Sequence, residues 1–190
     1  MKIVLLGAPG SGKGTQGRSL ADRFGVRHVS TGDLLRAHIA QGTDLGREAA
    51  PYVRRGELVP DGLMLRVAGA AVTEAAGEGG YVLDGFPRTL AQAERAYELA
   101  GPAGVTADAV VYLAVPDEVA RERLAARAVE GRADDADPDV IERRLQVFHD
   151  ETQPLLDFYR DRGILVTVDA ARSPDEVTDA MLEAVKSLGE

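Results

Sequence analysis

The stretch Lys2-Ile3-Val4-Leu5-Leu6-Gly7-Ala8-Pro9-Gly10-Ser11-Gly12-Lys13-Gly14-Thr15 decides the fold. Lys2–Leu6 reads as a buried strand and Lys13–Phe24 as a helix, so the glycine-rich segment is a strand-to-helix turn. That is the setting a phosphate-binding loop requires. Glycines let the backbone wrap closely around phosphate oxygens with its N–H groups turned inward. The helix start adds its positive dipole end, and Lys13 adds a full charge that reaches outer phosphates. The general pattern has Ser or Thr directly after the lysine, whereas Gly14 intervenes here and the hydroxyl is Thr15. A turn with no ligand is the bland alternative. Strand, glycines, lysine, hydroxyl and helix in this order point instead to a nucleoside triphosphate.

Outward from the loop, apolar runs alternate with helical patterns. Strands are expected at His28–Ser30, Tyr81–Asp84, Ala109–Val115 and Ile164–Val168. Helices are expected around Asp33–Gln41, Leu45–Arg54, Asp61–Ala76 and Leu90–Ala100, after Pro116, from Pro138 with an interruption at Pro154, and over Pro174–Leu188. Such alternation predicts an α/β fold whose parallel sheet is covered on both faces. The 190 residues fit one domain. The longest apolar run, Ala109–Val115, is far shorter than the ~20 residues of a membrane span. No cysteine is present, which leaves no disulfide framework and no thiolate zinc site, and makes the cytoplasm the expected compartment. A net charge of −9 argues against a nucleic-acid partner.

Several arginines stand out on physical grounds. Arg123 and Arg127 are four apart on one helix face, with no acid three or four positions from Arg123. An anion opposite them would explain the pair; extension into water is the alternative. At about 100° per residue, Arg144 falls inside the apolar arc of Val140, Ile141, Leu145, Val147 and Phe148. A charge there needs a partner, either a phosphate or an unidentified acid in a buried salt bridge. Arg88 follows a strand end at the carboxyl edge of the sheet, where open α/β folds bind ligands. Asp84 ends that strand and could hold a water on Mg²⁺, or merely cap a turn. Arg36 sits near a helix start, where a cation is slightly unfavourable. Arg132 is ambiguous, because Asp134 and Asp135 could simply pair with it. His28, His38 and His149 show no metal-ligand spacing. Cations without a general base suit phosphoryl transfer, in which alignment and charge stabilisation do most of the work.

The Gly-Lys-Gly-Thr form of the loop is that of nucleoside monophosphate kinases. Ser30-Thr31-Gly32-Asp33-Leu34-Leu35-Arg36, Asp84-Gly85-Phe86-Pro87-Arg88 with Gln92, Glu151-Thr152-Gln153-Pro154-Leu155 and Val168-Asp169 follow at compatible spacing. The chain resembles the adenylate kinases of short-lid form over essentially its whole length. The resemblance implies a P-loop three-layer fold with a five-stranded parallel sheet and two small mobile insertions: residues 30–59 for AMP and 126–138 as a lid. That lid has no room for the β-domain or zinc of longer relatives. It implies transfer of the γ-phosphoryl of Mg²⁺-ATP to AMP, giving two ADP, by a monomer that contacts no membrane.

In that resemblance Gly10, Ser11, Gly12, Lys13, Gly14 and Thr15 cradle ATP with Arg123 and Arg127, and Arg172 borders its adenine. Thr15, and Asp84 through water, support the Mg²⁺ that ATP carries. Arg36 and Arg88 grip the AMP phosphate, Gly85, Phe86 and Pro87 shape the turn beside it, and Arg132 and Arg144 close over the transferring group. Lys13, Arg88, Arg123, Arg132 and Arg144 are the catalytic set. Thr31 and Gln92 select adenine, while Glu57, Leu58 and Val59 touch AMP mainly through backbone. Glu57 stands where many relatives carry lysine. Two alternatives remain at this point, a UMP/CMP kinase or a nucleotide-gated module without turnover. Thr31 and Gln92 weigh against the first, and two separate cation clusters weigh against the second.

Overall fold

A computed structural model describes residues 1–129, 135 and 137–188. Five strands, β1 (Lys2–Gly7), β2 (Arg27–Ser30), β3 (Tyr81–Asp84), β4 (Ala109–Ala114) and β5 (Leu165–Asp169), form one parallel sheet in the order β2-β3-β1-β4-β5. The helices are α1 (Lys13–Phe24), α2 (Thr31–Ala40), α3 (Asp44–Arg54), α4 (Asp61–Gly77), α5 (Leu90–Ala103), α6 (Asp117–Val129), α7 (Pro138–Val147), α8 (Leu155–Arg160) and α9 (Pro174–Ser187). The predicted fold class stands, and its strand and helix bounds agree closely with the sequence reading.

Alternation along the strands explains the three layers. Val4 and Leu6 of β1 join Val29, Leu83 and Val110 in a core with α4 and α8. Ile3 and Leu5 face the other way, with Val82, Val111 and Leu113, into a second core with α1 and α9. Side chains one residue apart point to opposite faces, so a strand covered on both sides must be apolar throughout. Gln16 tightens the α1–α9 contact, donating to Pro174 O (2.8 Å) and accepting from Thr178 Oγ1 (2.8 Å).

From β1 the chain first builds one side of the sheet, β2 and β3, and then crosses to β4 and β5. The crevice beyond the carboxyl ends of β1 and β3 is therefore a topological switch point, the place such sheets bind ligands. One local departure bears on it. The helix from Pro138 widens before reaching Pro154, into a π-helical turn at Phe148–Thr152 closed by Gln153 N donating to Phe148 O (2.8 Å). Proline supplies no N–H to continue the ladder, and the extra residue re-aims Thr152. Its hydroxyl donates to Arg88 O (2.8 Å). Among the described residues no helix is long and apolar enough to cross a membrane.

Candidate active site

The loop between β1 and α1 opens onto a cleft of about 1040 Å³. Gly10 has φ +82°, and a Cβ there would lie 2.5 Å from the carbonyl oxygen of Ala120 on α6, so only glycine fits. Gly12, Lys13, Gly14 and Thr15 line the cleft, whereas Ser11 is buried beneath it. Lys13 Nζ donates to the carbonyls of Gly7 (2.7 Å) and Ala8 (2.8 Å), folded back across its own loop. Burial pushes its ammonium down to about 8; Asp84 opposes that shift and Arg88, Arg144 and Arg127 reinforce it. A proton held this weakly is readily stabilised by a polyanion.

Asp84, at the carboxyl end of β3, faces the same cleft beside Thr15. Burial alone would raise its carboxyl, but His28, Lys13 and Arg88 outweigh that and hold it below the ordinary range. Two hard oxygen donors, an ionised carboxylate and a hydroxyl, fit a Mg²⁺ ion that arrives on ATP. His28, a histidine without metal-ligand spacing, lies 3.6 Å from Asp84 Oδ2. Only the folding of β2 alongside β3 brings the two together.

Arg88 also faces the cleft, with Nε on Gly85 O (2.8 Å). Burial lowers its pKa, with Arg144 and Arg36 adding to the effect and Asp84 opposing it. Gly85 has φ +88° and passes Thr31 so closely that a Cβ would sit 2.5 Å from its hydroxyl. Phe86–Pro87 is a cis peptide. Arg36 lines the cleft and pairs with Asp33 one turn earlier, which offsets a cation's cost near a helix start.

The expectation of an anion opposite Arg123 and Arg127 needs correcting on one point: both arginines already have protein partners. Arg127 donates to Asp135 Oδ2 from Nε (2.9 Å) and Nη2 (2.7 Å). Arg144 bonds the other carboxylate oxygen of Asp135, which is wholly buried. The acid that sequence left unidentified for Arg144 is therefore Asp135, invisible to helix spacing because it lies between α6 and α7. Arg127 and Arg144 still line the cleft. Arg123 turns away, donating to Ala170 O (2.9 Å) beyond β5, and Arg172 pairs with Asp169. Arg132, with the rest of 130–134 and residue 136 of the expected lid, lies outside the described residues.

A smaller pocket of about 70 Å³ shares Gly32, Arg36, Val53, Arg88 and Arg144 with the cleft. Glu57, Leu58, Val59 and Gln92 also line it, with Leu35, Gly56 and Met64. Glu57 turns its side chain to Arg55 (2.8 Å). Thr31 is fully buried and donates to Asp84 O (3.1 Å). Gln92 accepts from Arg88 N (2.8 Å) and donates to Asp61 (2.7 Å), a residue the sequence did not single out.

The family described as Adenylate kinase matches residues 5–164. An adenylate kinase of Stenotrophomonas maltophilia (strain R551-3) is 46% identical over 187 residues, 98% of this chain and 100% of the relative. One from Xanthomonas euvesicatoria pv. vesicatoria (strain 85-10) is 47% identical over 97% of this chain and 99% of the relative. One from Nocardia farcinica (strain IFM 10152) is 46% identical over the same shares. A loop built for phosphates, cations gathered around one cleft and relatives matched end to end agree, and the chain belongs to the adenylate kinase family of phosphotransferases.

Proposed function

We propose that this chain catalyses Mg²⁺-ATP + AMP ⇌ 2 ADP and so balances the adenine nucleotides. One observation carries the reading: Lys13, Arg36, Arg88, Arg127 and Arg144 all line a single cleft beside the ionised Asp84. A phosphate acceptor is already largely ionised near neutrality and needs no strong base. What the transfer needs is an in-line approach and cations over spread negative charge.

In this reading residues 10–15 hold the ATP phosphates through backbone N–H groups. Lys13 leaves the carbonyls of Gly7 and Ala8 for the β and γ oxygens. Mg²⁺, brought by ATP, supplies charge neutralisation; Thr15 and Asp84 hold its shell. Arg36 and Arg88 aim an AMP oxygen at the γ-phosphorus, with Arg88 braced by Gly85 O and its backbone by Thr152. Arg127 and Arg144 exchange the Asp135 carboxylate for phosphate oxygens, one acceptor for another of like charge. Arg123 and Arg132 belong to the same closing set. Arg172 borders the ATP adenine, and Thr31, Gln92 and residues 57–59 border that of AMP.

Residues 30–59 and 126–138 close over both substrates, because an open site would let water compete with AMP for the γ-phosphoryl group. Lid opening then limits turnover, and a rate unmoved by hinge substitutions would count against that. The same reading makes the protein a cytoplasmic monomer, in keeping with a chain free of cysteine. The deciding experiment offers Mg²⁺-ATP with AMP, UMP, CMP, GMP or no acceptor, and follows ADP. Fast turnover with AMP alone is expected; preference for a pyrimidine would overturn the base assignment, and binding without turnover would overturn the enzyme.

A further inference from the structure

A glutamine amide is by itself a poor discriminator of purines. Its oxygen accepts and its nitrogen donates, and a half-turn about the last side-chain bond exchanges the two. One orientation fits the 6-amino group and N1 acceptor of adenine. The other fits the 6-oxo group and N1–H of hypoxanthine equally well. Selection therefore requires something that fixes the amide.

Gln92 is held at both ends. It is only 1% exposed. It sits three residues beyond Thr89, the N-cap of α5, whose hydroxyl accepts from Gln92 N (3.1 Å). Its side chain returns toward the cap, where Oε1 accepts from Arg88 N (2.8 Å), an arrangement akin to a capping box. A backbone N–H only donates, so it demands the oxygen. At the other end Nε2 donates to Asp61 Oδ1 (2.7 Å), and an ionised carboxylate only accepts. Flipping the amide would set N–H against N–H and oxygen against carboxylate. Each end keeps one spare valence, a second N–H and a second lone pair, and Gln92 lines the small pocket beside Arg36 and Arg88.

We infer that Asp61 is a specificity-determining positioning residue, locking the Gln92 amide in the orientation that pairs with a 6-aminopurine and rejects a 6-oxopurine. The inference rests on Gln92 facing the acceptor base. Asp61 also occupies the first turn of α4, where any carboxylate favours the helix dipole. Asp61 is itself exposed, and that bland role does not require the bond it accepts from Gln92, 31 residues away.

The test compares AMP and IMP as acceptors for the wild type, Asp61→Asn, Asp61→Leu and Gln92→Leu, with melting temperature and the KM for ATP recorded beside each. Asparagine can present either its oxygen or its amide, so Asp61→Asn removes one of the two restraints on the flip and leaves only the Arg88 N–H opposing it. The AMP-to-IMP ratio of kcat/KM should fall by about tenfold in Asp61→Asn and Asp61→Leu, mainly through the KM for the acceptor, with the KM for ATP unchanged. Should Gln92→Leu lower the ratio while both Asp61 variants keep it, the lock is wrong and the Gln92 reading stands. A ratio unmoved by Gln92→Leu would remove both. Equal losses for AMP and IMP in the Asp61 variants would reduce Asp61 to a structural residue.

Discussion

The two ends of the proposed AMP pocket are built by different means. At the phosphate end, charge gathers: Arg36, Arg88 and Arg144 line one cleft with Lys13, from α2, the β3–α5 turn and α7. At the base end the group that faces the nucleotide in this proposal carries no charge. One neutral amide, Gln92, is held by a backbone N–H and a carboxylate borrowed from α4. In the proposed reading the first end handles a group common to every nucleotide and works through long-range electrostatics, which tolerate small errors of position. The second must tell one purine from another, and hydrogen bonds do this only when their direction is fixed. Strength and selectivity thus come from separate sets of residues, and each can be broken alone.

The largest effect should follow from Arg88→Ala. It removes a cation from the transferring group, and kcat should fall by about 10³-fold with AMP and IMP alike, while ATP affinity measured by calorimetry stays close to wild type. Unequal losses for the two acceptors would mean that Arg88 also reads the base.

Next in size is Asp135→Asn. The wholly buried carboxylate joins Arg127 on α6 to Arg144 on α7. An asparagine removes the negative charge that the two arginines share, and chemical denaturation should report a loss of about 1–3 kcal/mol. An unchanged stability would show that solvent serves the arginines equally well. The AMP-to-IMP ratio should not move, since this pair belongs to the phosphate end.

The smallest effect is a proton. Burial holds free Lys13 down to about 8, and a bound polyphosphate favours its charged form. ATP binding should take up about three-quarters of a proton at pH 8.5 and almost none from Lys13 at pH 6.5. Affinity should accordingly decline as pH rises through about 8. Calorimetry in buffers of different ionisation enthalpy measures the uptake, and Lys13→Met should abolish it. A comparable uptake in that variant would assign the proton to another group.

How far the sequence reached differs by element. The five strands and the loop at Gly7–Thr15 were legible because their signals are local: unbroken apolar runs, glycines at fixed offsets, and one lysine at a helix start. Arg88 was legible from its place after a strand. Arg144 stood out as a charge on an apolar face, but the acid meeting it did not, because Asp135 reaches it across the gap between two helices. His28 seemed idle until β2 was laid alongside β3. The π-helical turn at Phe148–Thr152 was displaced from the expected break at Pro154, since proline marks where a ladder fails and packing chooses how the preceding residues absorb it.

The sequence by itself determined the order of strands and helices, the phosphate loop and the supply of cations for the cleft. Each is written in neighbouring residues or in a helical or strand period, and such patterns survive without knowledge of what lies opposite. Tertiary structure alone decided which carboxylate holds which arginine and which way the Gln92 amide points. Those bonds join Asp135 to Arg144 and Asp61 to Gln92 across separate elements, and a hydrogen bond's direction exists only once both partners have been brought within about 3 Å.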